Sequence, residues 1–286
     1  MRSPDELLHD FADLIRQEAI LPKSEWAEGP LKVGVDLGTA NIVLSVVDAQ
    51  NRPVAGASYR STVVRDGIVV DYVGAVQAVR SLKTTIEERL GQRLVRAATA
   101  IPPGIHAGNA KAIGNVVEAA DMELVEIVDE PTAASRVLMV SDGAVVDVGG
   151  GTTGISILKD GKVLGSFDEA TGGTHMTLVL AGAYGMNFDE AEDHKLNVAN
   201  DKDVFPVVRP VVDKMASIVS RFLDGRDVDD IYVVGGACTF SGFEKAFEKQ
   251  TGKRVIKPAE PLLVTPLGIA MYEQDAAQTA QAGRVQ

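Results

Sequence analysis

Asp147 is followed by three glycines and two threonines, in a stretch, Val145–Ser156, that reads VVDVGGGTTGIS. Apolar runs on both sides give two strands joined by a Gly-Thr turn. Glycine lets the backbone approach a ligand closely, and a row of exposed backbone N–H groups forms a concavity that binds anions. A carboxylate at the edge of such a concavity repels phosphate unless a divalent cation stands between them. Taken alone, the stretch reads equally well as an ordinary hairpin. A second copy changes the balance. Val33–Asp48, VGVDLGTANIVLSVVD, again runs from an apolar segment to an acid, Asp36, a Gly38-Thr39 turn and an apolar strand. Asp36 and Asp147 hold matched positions. Such a pair of turns suits a polyphosphate whose hard cation is held by one or two carboxylates and by water. Two turn-capping aspartates are the plainer alternative.

The surrounding elements must place these turns. Val33–Val35, Asn41–Val47 and Val54–Tyr59 read as strands around the first turn. Val63–Tyr72 reads as apolar segments around an Arg-Asp-Gly turn. Val73–Leu90 is a helix stopped by Gly91, and Arg96–Ile101 a buried strand. A helix of small residues, Asn109–Ala120, and a strand, Leu124–Val128, follow. Asp129-Glu130-Pro131-Thr132 then opens a helix through Val140. The second half repeats the order, with strands Ala144–Val148, Ile155–Leu158 and Lys162–Phe167. Gly172-Gly173-Thr174 precedes a helix, Met176–Tyr184, and Phe188–Asn197 and Val207–Leu223 are further helices. Strand Ile231–Val234 ends in Gly235-Gly236-Ala237. Helix Ser241–Gln250, strand Val255–Ile256 and helix Thr265–Tyr272 complete the chain. This repeat predicts an α/β fold of two similar lobes with the acid-glycine turns at a cleft.

Residues 1–28 stand apart. Ser3-Pro4-Asp5-Glu6 is a capping box, and Leu7, Leu8, Phe11, Leu14 and Ile15 share one helical face. That face suits docking on its own domain or, alternatively, in a partner's groove. The expected domains are an N-terminal helix and linker (1–28), a first lobe (29–142, with helix 265–275 packing back), a second lobe (143–264) and a flexible tail (276–286).

The 286 residues carry a net charge of −12, which argues against generic binding of nucleic acid or an anionic membrane. Cys238 is the only cysteine, so no intrachain disulfide forms, which suits the cytosol. No apolar run approaches the ~18 residues of a membrane span, and the N-terminus has no signal-peptide core. His9, His106 and His175 show no metal-ligand spacing with one another or with Cys238.

Five motifs in order resemble the actin, sugar-kinase and heat-shock-chaperone ATPase superfamily over roughly residues 31–275. VGVDLGTAN (33–41) and VVDVGGGTTGIS (145–156) are similar to its two phosphate loops. GNVVEAADMELVEIVDEPTAAS (114–135) and TPLGIA (265–270) are similar to its connecting helices, and VVGGACTFSG (233–242) to its adenosine motif. VVRDGIVVDY resembles the bacterial cell-shape actins. The resemblance implies two ribonuclease-H-like lobes, here with reduced outer subdomains because few residues separate the first hairpin from Val63. This compact form, with its amphipathic N-terminal helix, resembles the ethanolamine-utilisation protein J family, chaperone-like accessory proteins of bacterial ethanolamine catabolism and its microcompartment.

The resemblance implies an ATP or ADP site with Mg²⁺ held by Asp36 and Asp147. Gly38, Thr39 and Ala40, and from the other lobe Gly149, Gly150, Gly151 and Thr152, would receive the phosphates. Glu130 matches the glutamate that polarises the attacking water, and is otherwise an ordinary helix-start acid. Gly235, Gly236 and Ala237 would pass against adenosine. Glu192 and Lys195, one turn apart, match ribose and adenine contacts or form a solvated ion pair. With no lysine to carry over from the reduced outer subdomain, hydrolysis is expected to be slow or absent. A substrate-binding half like that of the heat-shock chaperones is not expected. The implied function is nucleotide-driven lobe closure acting on a protein client or a microcompartment component, in the cytoplasm. An actin-like filament former and a small-molecule kinase are the rival readings.

Overall fold

The computed structural model describes residues 2–272, which divide into two compact units. The first takes the chain up to Ile101, Ile105–Met139 and the residues from Leu263 on. The second takes Pro102–Gly104 and Val140–Leu262. The expected tail, 276–286, and the last three residues of the expected helix 265–275 lie outside the described residues.

The first unit opens with helix α1 (Pro4–Arg16), then strands β1 (Lys32–Leu37), β2 (Asn41–Val47) and β3 (Pro53–Arg60). A minimal hairpin, β4 (Val64–Arg65) and β5 (Ile68–Val69), leads to α2 (Tyr72–Leu90), β6 (Arg96–Ile101), α3 (Ala107–Ala119), β7 (Glu123–Asp129) and α4 (Glu130–Leu138). The sheet runs β3-β2-β1-β6-β7. Pairs β1–β2 and β2–β3 are antiparallel, β1–β6 and β6–β7 parallel. Its strands read as near-continuous apolar runs because helices pack over them. Val35, Ile42, Leu44, Ile86 and Ile113 form the centre of the core.

The second unit contains β8 (Gly143–Val148), β9 (Thr153–Lys159), β10 (Lys162–Glu169), α5 (Gly173–Tyr184), α6 (Phe188–Leu196), α7 (Asp201–Leu223), β11 (Asp230–Val234), α8 (Phe243–Thr251) and β12 (Arg254–Ile256). Its sheet runs β10-β9-β8-β11-β12, with the same alternation of antiparallel and parallel neighbours as the first. Ile155, Met176, Met215, Phe243 and Phe247 lie in its core. The order of elements is therefore duplicated strand for strand.

Helix α9 (Val264–Tyr272) returns to the first unit and crosses α4 closely. A Cβ on Gly268 would stand 2.1 Å from the Ala133 carbonyl oxygen, so the small residues of these helices do allow backbone to approach backbone. Helix α7 starts six residues before the expected Val207 and runs through Pro206 and Pro210. Proline disfavours a helix interior, yet the buried stripe Val204, Val208, Val211 and Val212 holds this one to the core. Packing overrides propensity there.

Helix α1 has the expected capping box. Ser3 Oγ accepts from the Glu6 N–H, and the Glu6 carboxylate accepts from the Ser3 N–H at 2.7 Å. Leu8 and Phe11 are buried, and the Phe11 ring lies over Gly56 of β3. The apolar face thus docks on its own unit. Beyond the helix, Leu21 donates its N–H to Val54 O at 2.8 Å, along the outer edge of β3. The linker is pinned by Asp48, whose carboxylate accepts from the N–H groups of Ala27, Gln50 and Arg52 and from the Arg52 guanidinium. Burial pushes this carboxyl's pKa up, but those donors outweigh it and hold the group below its ordinary value.

Candidate functional site

In the second unit, Asp147 is the penultimate residue of β8, opposite Gly154 on β9, and is 6% exposed. The turn that follows is closed by the Gly149 N–H donating to Thr152 O at 3.0 Å. A second layer of backbone supports it. Gly173 and Thr174 donate to Gly149 O and Gly150 O at 2.9 and 2.8 Å. Gly172 lies so close that a Cβ there would stand 2.6 to 2.7 Å from Gly150 O, Gly149 O and Gly151 C. No side chain fits at that position. Gly235 is constrained equally: its φ is +92°, and a Cβ would meet Val148 O at 2.4 Å and Asp147 Oδ1 at 2.5 Å.

Gly173 is where separate parts of the chain meet. Its Cβ position lies 3.4 Å from Ala237 Cβ, 3.4 Å from Lys195 Nζ and 3.7 Å from Gly149 O. Lys195 Nζ donates to Gly173 O at 3.1 Å, to Thr177 Oγ1 at 2.7 Å and to the Glu192 carboxylate at 2.7 Å. Thr177 Oγ1 in turn bonds to Glu192. The Lys195 and Glu192 side chains are only 8% and 16% exposed, so this is a buried network and not a solvated pair. The three ammonium protons of Lys195 have acceptors within the unit. The pair therefore ties α6 to the first turn of α5, beside the glycine turn.

Thr171, at the start of the supporting layer, is 1% exposed. Its carbonyl accepts from Thr153 Oγ1 at 2.6 Å, while its own hydroxyl has no partner among the described residues. A buried unsatisfied hydroxyl beside backbone-rich glycine turns fits a ligand that brings oxygen acceptors. Neither Thr171 nor the Gly172–Gly173 pair is singled out as functional by the sequence. The signal was Gly172-Gly173-Thr174 ahead of a helix, but spacing along the chain does not reveal which turn that segment supports.

In the first unit, Asp36 is likewise penultimate in its strand, opposite Val43 on β2. The turn Gly38–Ala40 is tight: a Cβ on Gly38 would stand 2.8 Å from Asn41 O. Its outer end is held by the Ser61 N–H donating to Ala40 O at 3.1 Å. Glu130 opens α4 directly after β7. The register Val35↔Thr99 and Ile101↔Asp129 brings Glu130 to the same C-terminal sheet edge as Asp36, two strands away. At ~4.8 Å per strand that is roughly 10 Å. Open α/β sheets bind ligands outside such carboxyl ends.

Among the described residues no three His, Cys, Asp or Glu are grouped to hold a metal. Asp36 and Asp147 each offer a carboxylate of the kind that holds a hydrated hard cation. Cys238 is buried and its thiol donates to Gly235 O at 3.1 Å. Burial drives its pKa far above the usual range, so it is an inert packing residue.

Two sheets of identical order, each with an acid and a glycine turn after its first strand, define an actin-like ATPase fold. MreB5 of Spiroplasma citri, in a crystal structure bound to AMPPNP, shares it at a TM-score of 0.70 and 18% identity, covering 90% of this chain and 100% of that one. Residues 132–266 match the family described as type IV pilus assembly protein PilM. The chain is 43% identical over 252 residues to ethanolamine utilization protein EutJ of Escherichia coli (strain K12), covering 88% of this chain and 89% of the relative. The crystal structure of EutJ from Carboxydothermus hydrogenoformans matches at a TM-score of 0.87 and 51% identity, over 94% and 98% of the two chains. The chain belongs to the ethanolamine utilization protein EutJ family. No helix among the described residues is long and apolar enough to cross a membrane.

Proposed function

We propose that the chain binds an adenine nucleotide with Mg²⁺ and uses nucleotide state to act, chaperone-like, on a protein client of ethanolamine utilisation. The observation that carries this is the convergence on Gly173 of the glycine turn, Lys195 and Ala237, which lie far apart in sequence. The backbone N–H groups of Gly150, Gly151 and Thr152, in the turn that Gly149 closes, bind phosphate oxygens together with the Thr171 hydroxyl. Gly38–Ala40 do the same from the first unit. Asp36 and Asp147 hold the cation, which neutralises phosphate charge when bound. Glu130 orients a water toward the terminal phosphate. Gly235, Gly236 and Ala237 leave room for adenosine, with Glu192 and Lys195 fixing the helix beside it. Closure of the two units on the nucleotide transmits its state, with slow turnover or none. The location is cytoplasmic, in association with a bacterial microcompartment.

Isothermal titration with ATP and ADP, with and without Mg²⁺, tests this. The expected result is Mg²⁺-dependent binding and a higher melting temperature in the presence of nucleotide. Absence of binding by either nucleotide at millimolar concentration overturns the reading.

A further inference from the structure

In the nucleotide reading a base passes over Gly235–Ala237, and the groups around that backbone decide which base it is. This stretch and the segment after β12 both lie in the second unit, and they are tied together. The Gly235 N–H donates to Pro261 O at 2.9 Å. The next residue, Leu262, is 42% exposed, and its Cδ1 would stand 3.1 Å from a Cβ on Gly236. A surface leucine is thus laid against a residue with no side chain. On the far side of Gly236 comes Ala237, whose Cβ stands 3.4 Å from the Cβ position of Gly173. Both neighbours of the bare Gly236 backbone are apolar. An aromatic base covering Leu262 removes apolar surface of both partners from water.

Telling adenine from guanine takes something more. The two purines share a shape and differ at the edge, where adenine carries an amine and guanine a carbonyl, a ring N–H and a second amine. A site that rejects one of them holds a fixed donor or acceptor at that edge, whereas apolar walls discriminate weakly. The side-chain donors around the motif are engaged elsewhere. Cys238 Sγ donates to Gly235 O and Thr239 Oγ1 to Gly236 O, both at 3.1 Å. Lys257 Nζ donates to Phe240 O at 2.9 Å and Thr239 O at 3.4 Å, and pairs with the Glu244 carboxylate at 3.0 Å. Lys195 is held by Gly173 O, Thr177 and Glu192. Glu260, just before Pro261, has a partner of its own. The carbonyl oxygens of the motif each keep a second lone pair, which takes an N–H from either purine.

Resting on the nucleotide reading above, we propose that Leu262 is the apolar contact for the base. The site then selects purine nucleotides by shape and accepts guanosine phosphates as well as adenosine phosphates. Leu262 lies outside both acid-glycine turns, so its contribution is to the base and not to the phosphates or the cation.

The test is isothermal titration of the full chain, in Mg²⁺, with ATP, GTP and CTP, and with inorganic tripolyphosphate as a ligand that has no base. GTP is expected to bind within about tenfold of ATP. CTP, with its smaller ring, should bind about tenfold more weakly or worse. Leu262→Ala is expected to weaken ATP and GTP alike by about tenfold, and to leave tripolyphosphate binding and the melting temperature unchanged. Leu262→Met, which keeps an apolar chain of similar size, should restore both nucleotides. An ATP affinity more than about a hundredfold above that of GTP overturns selection by shape, and needs no variant to show it. An unchanged ATP affinity in Leu262→Ala, or an equal loss for tripolyphosphate, overturns the role of Leu262. Failure of ATP, GTP and CTP alike to bind overturns the nucleotide reading and this proposal together.

Discussion

In the second unit the turn after Asp147 rests on another layer of backbone; in the first, the turn after Asp36 does not. Gly149 and Gly150 each accept a hydrogen bond from the Gly173–Thr174 segment, and Gly151 and Thr152 are buried. Gly38 and Thr39 are half-buried, Ala40 is exposed, and one bond from Ser61 ties the turn down. Both turns follow the same strand of the same topology, so the difference comes from what each unit packs behind them. A prebuilt turn meets a ligand with little ordering left to do, whereas the looser one carries more of that entropic cost. On the proposed nucleotide reading, the turn of the second unit is the preformed one and the turn of the first is the one left to order on binding.

The largest effect that can break this comparison is at Lys195. Lys195→Met leaves Glu192 and Thr177 buried without their cation, and is expected to destabilise by ~3 kcal/mol or more in chemical denaturation. A loss below ~1 kcal/mol would mean that the network is not what anchors α6 beside the second turn. Next are the glycines. Gly172→Ala meets three backbone atoms and should cost ~2 kcal/mol or more, while Gly38→Ala meets one at 2.8 Å and should cost ~1 kcal/mol. Equal losses in thermal melts would erase the contrast between the turns.

The acids sharpen it in binding. Asp147→Asn and Asp36→Asn are each expected to lower the Mg²⁺-dependent part of ATP affinity about tenfold, ~1.4 kcal/mol. Titration with and without Mg²⁺ reads this, and an unchanged Mg²⁺ dependence removes that residue from the cation site. The smallest effect concerns how the first unit is tied together. The Asp48 pKa lies below its ordinary 3.8 when folded, so its contribution is complete above that value and is lost as pH falls through the folded pKa. Asp48→Asn should cost ~1 to 2 kcal/mol at pH 7, and the gap to wild type should close as the pH drops below ~4. A gap that stays constant down to pH 2 would show that the carboxylate charge does not secure the linker.

Much of the fold was legible because it follows from local chemistry. Strand Arg96–Ile101 was read with its observed limits, and helix α2 stops at Gly91 in the left-handed conformation its sequence calls for. The α1 capping box depends on four adjacent residues and formed as read. The sequence starts α7 only at Val207 because Pro206 argues locally against the helix, whose first turns are held by burial of Val204 and Val208 against the distant core. In the site, Asp36 and Asp147 were visible as a repeated pattern. Thr171 and Gly172 were not, because their importance lies in what they touch.

The sequence by itself determined that there are two acid-glycine turns, each between strands, because strand alternation and glycine turns act over a few residues. It also determined an amphipathic first helix, but that apolar stripe suits a partner's groove as well as the chain's own sheet. Only tertiary structure decided that it lies on β3. Only tertiary structure brought Gly172 under the second turn and gathered Lys195 and Ala237 around Gly173. Those contacts join segments far apart along the chain, and no local preference encodes which distant backbone will fill the space a missing Cβ leaves.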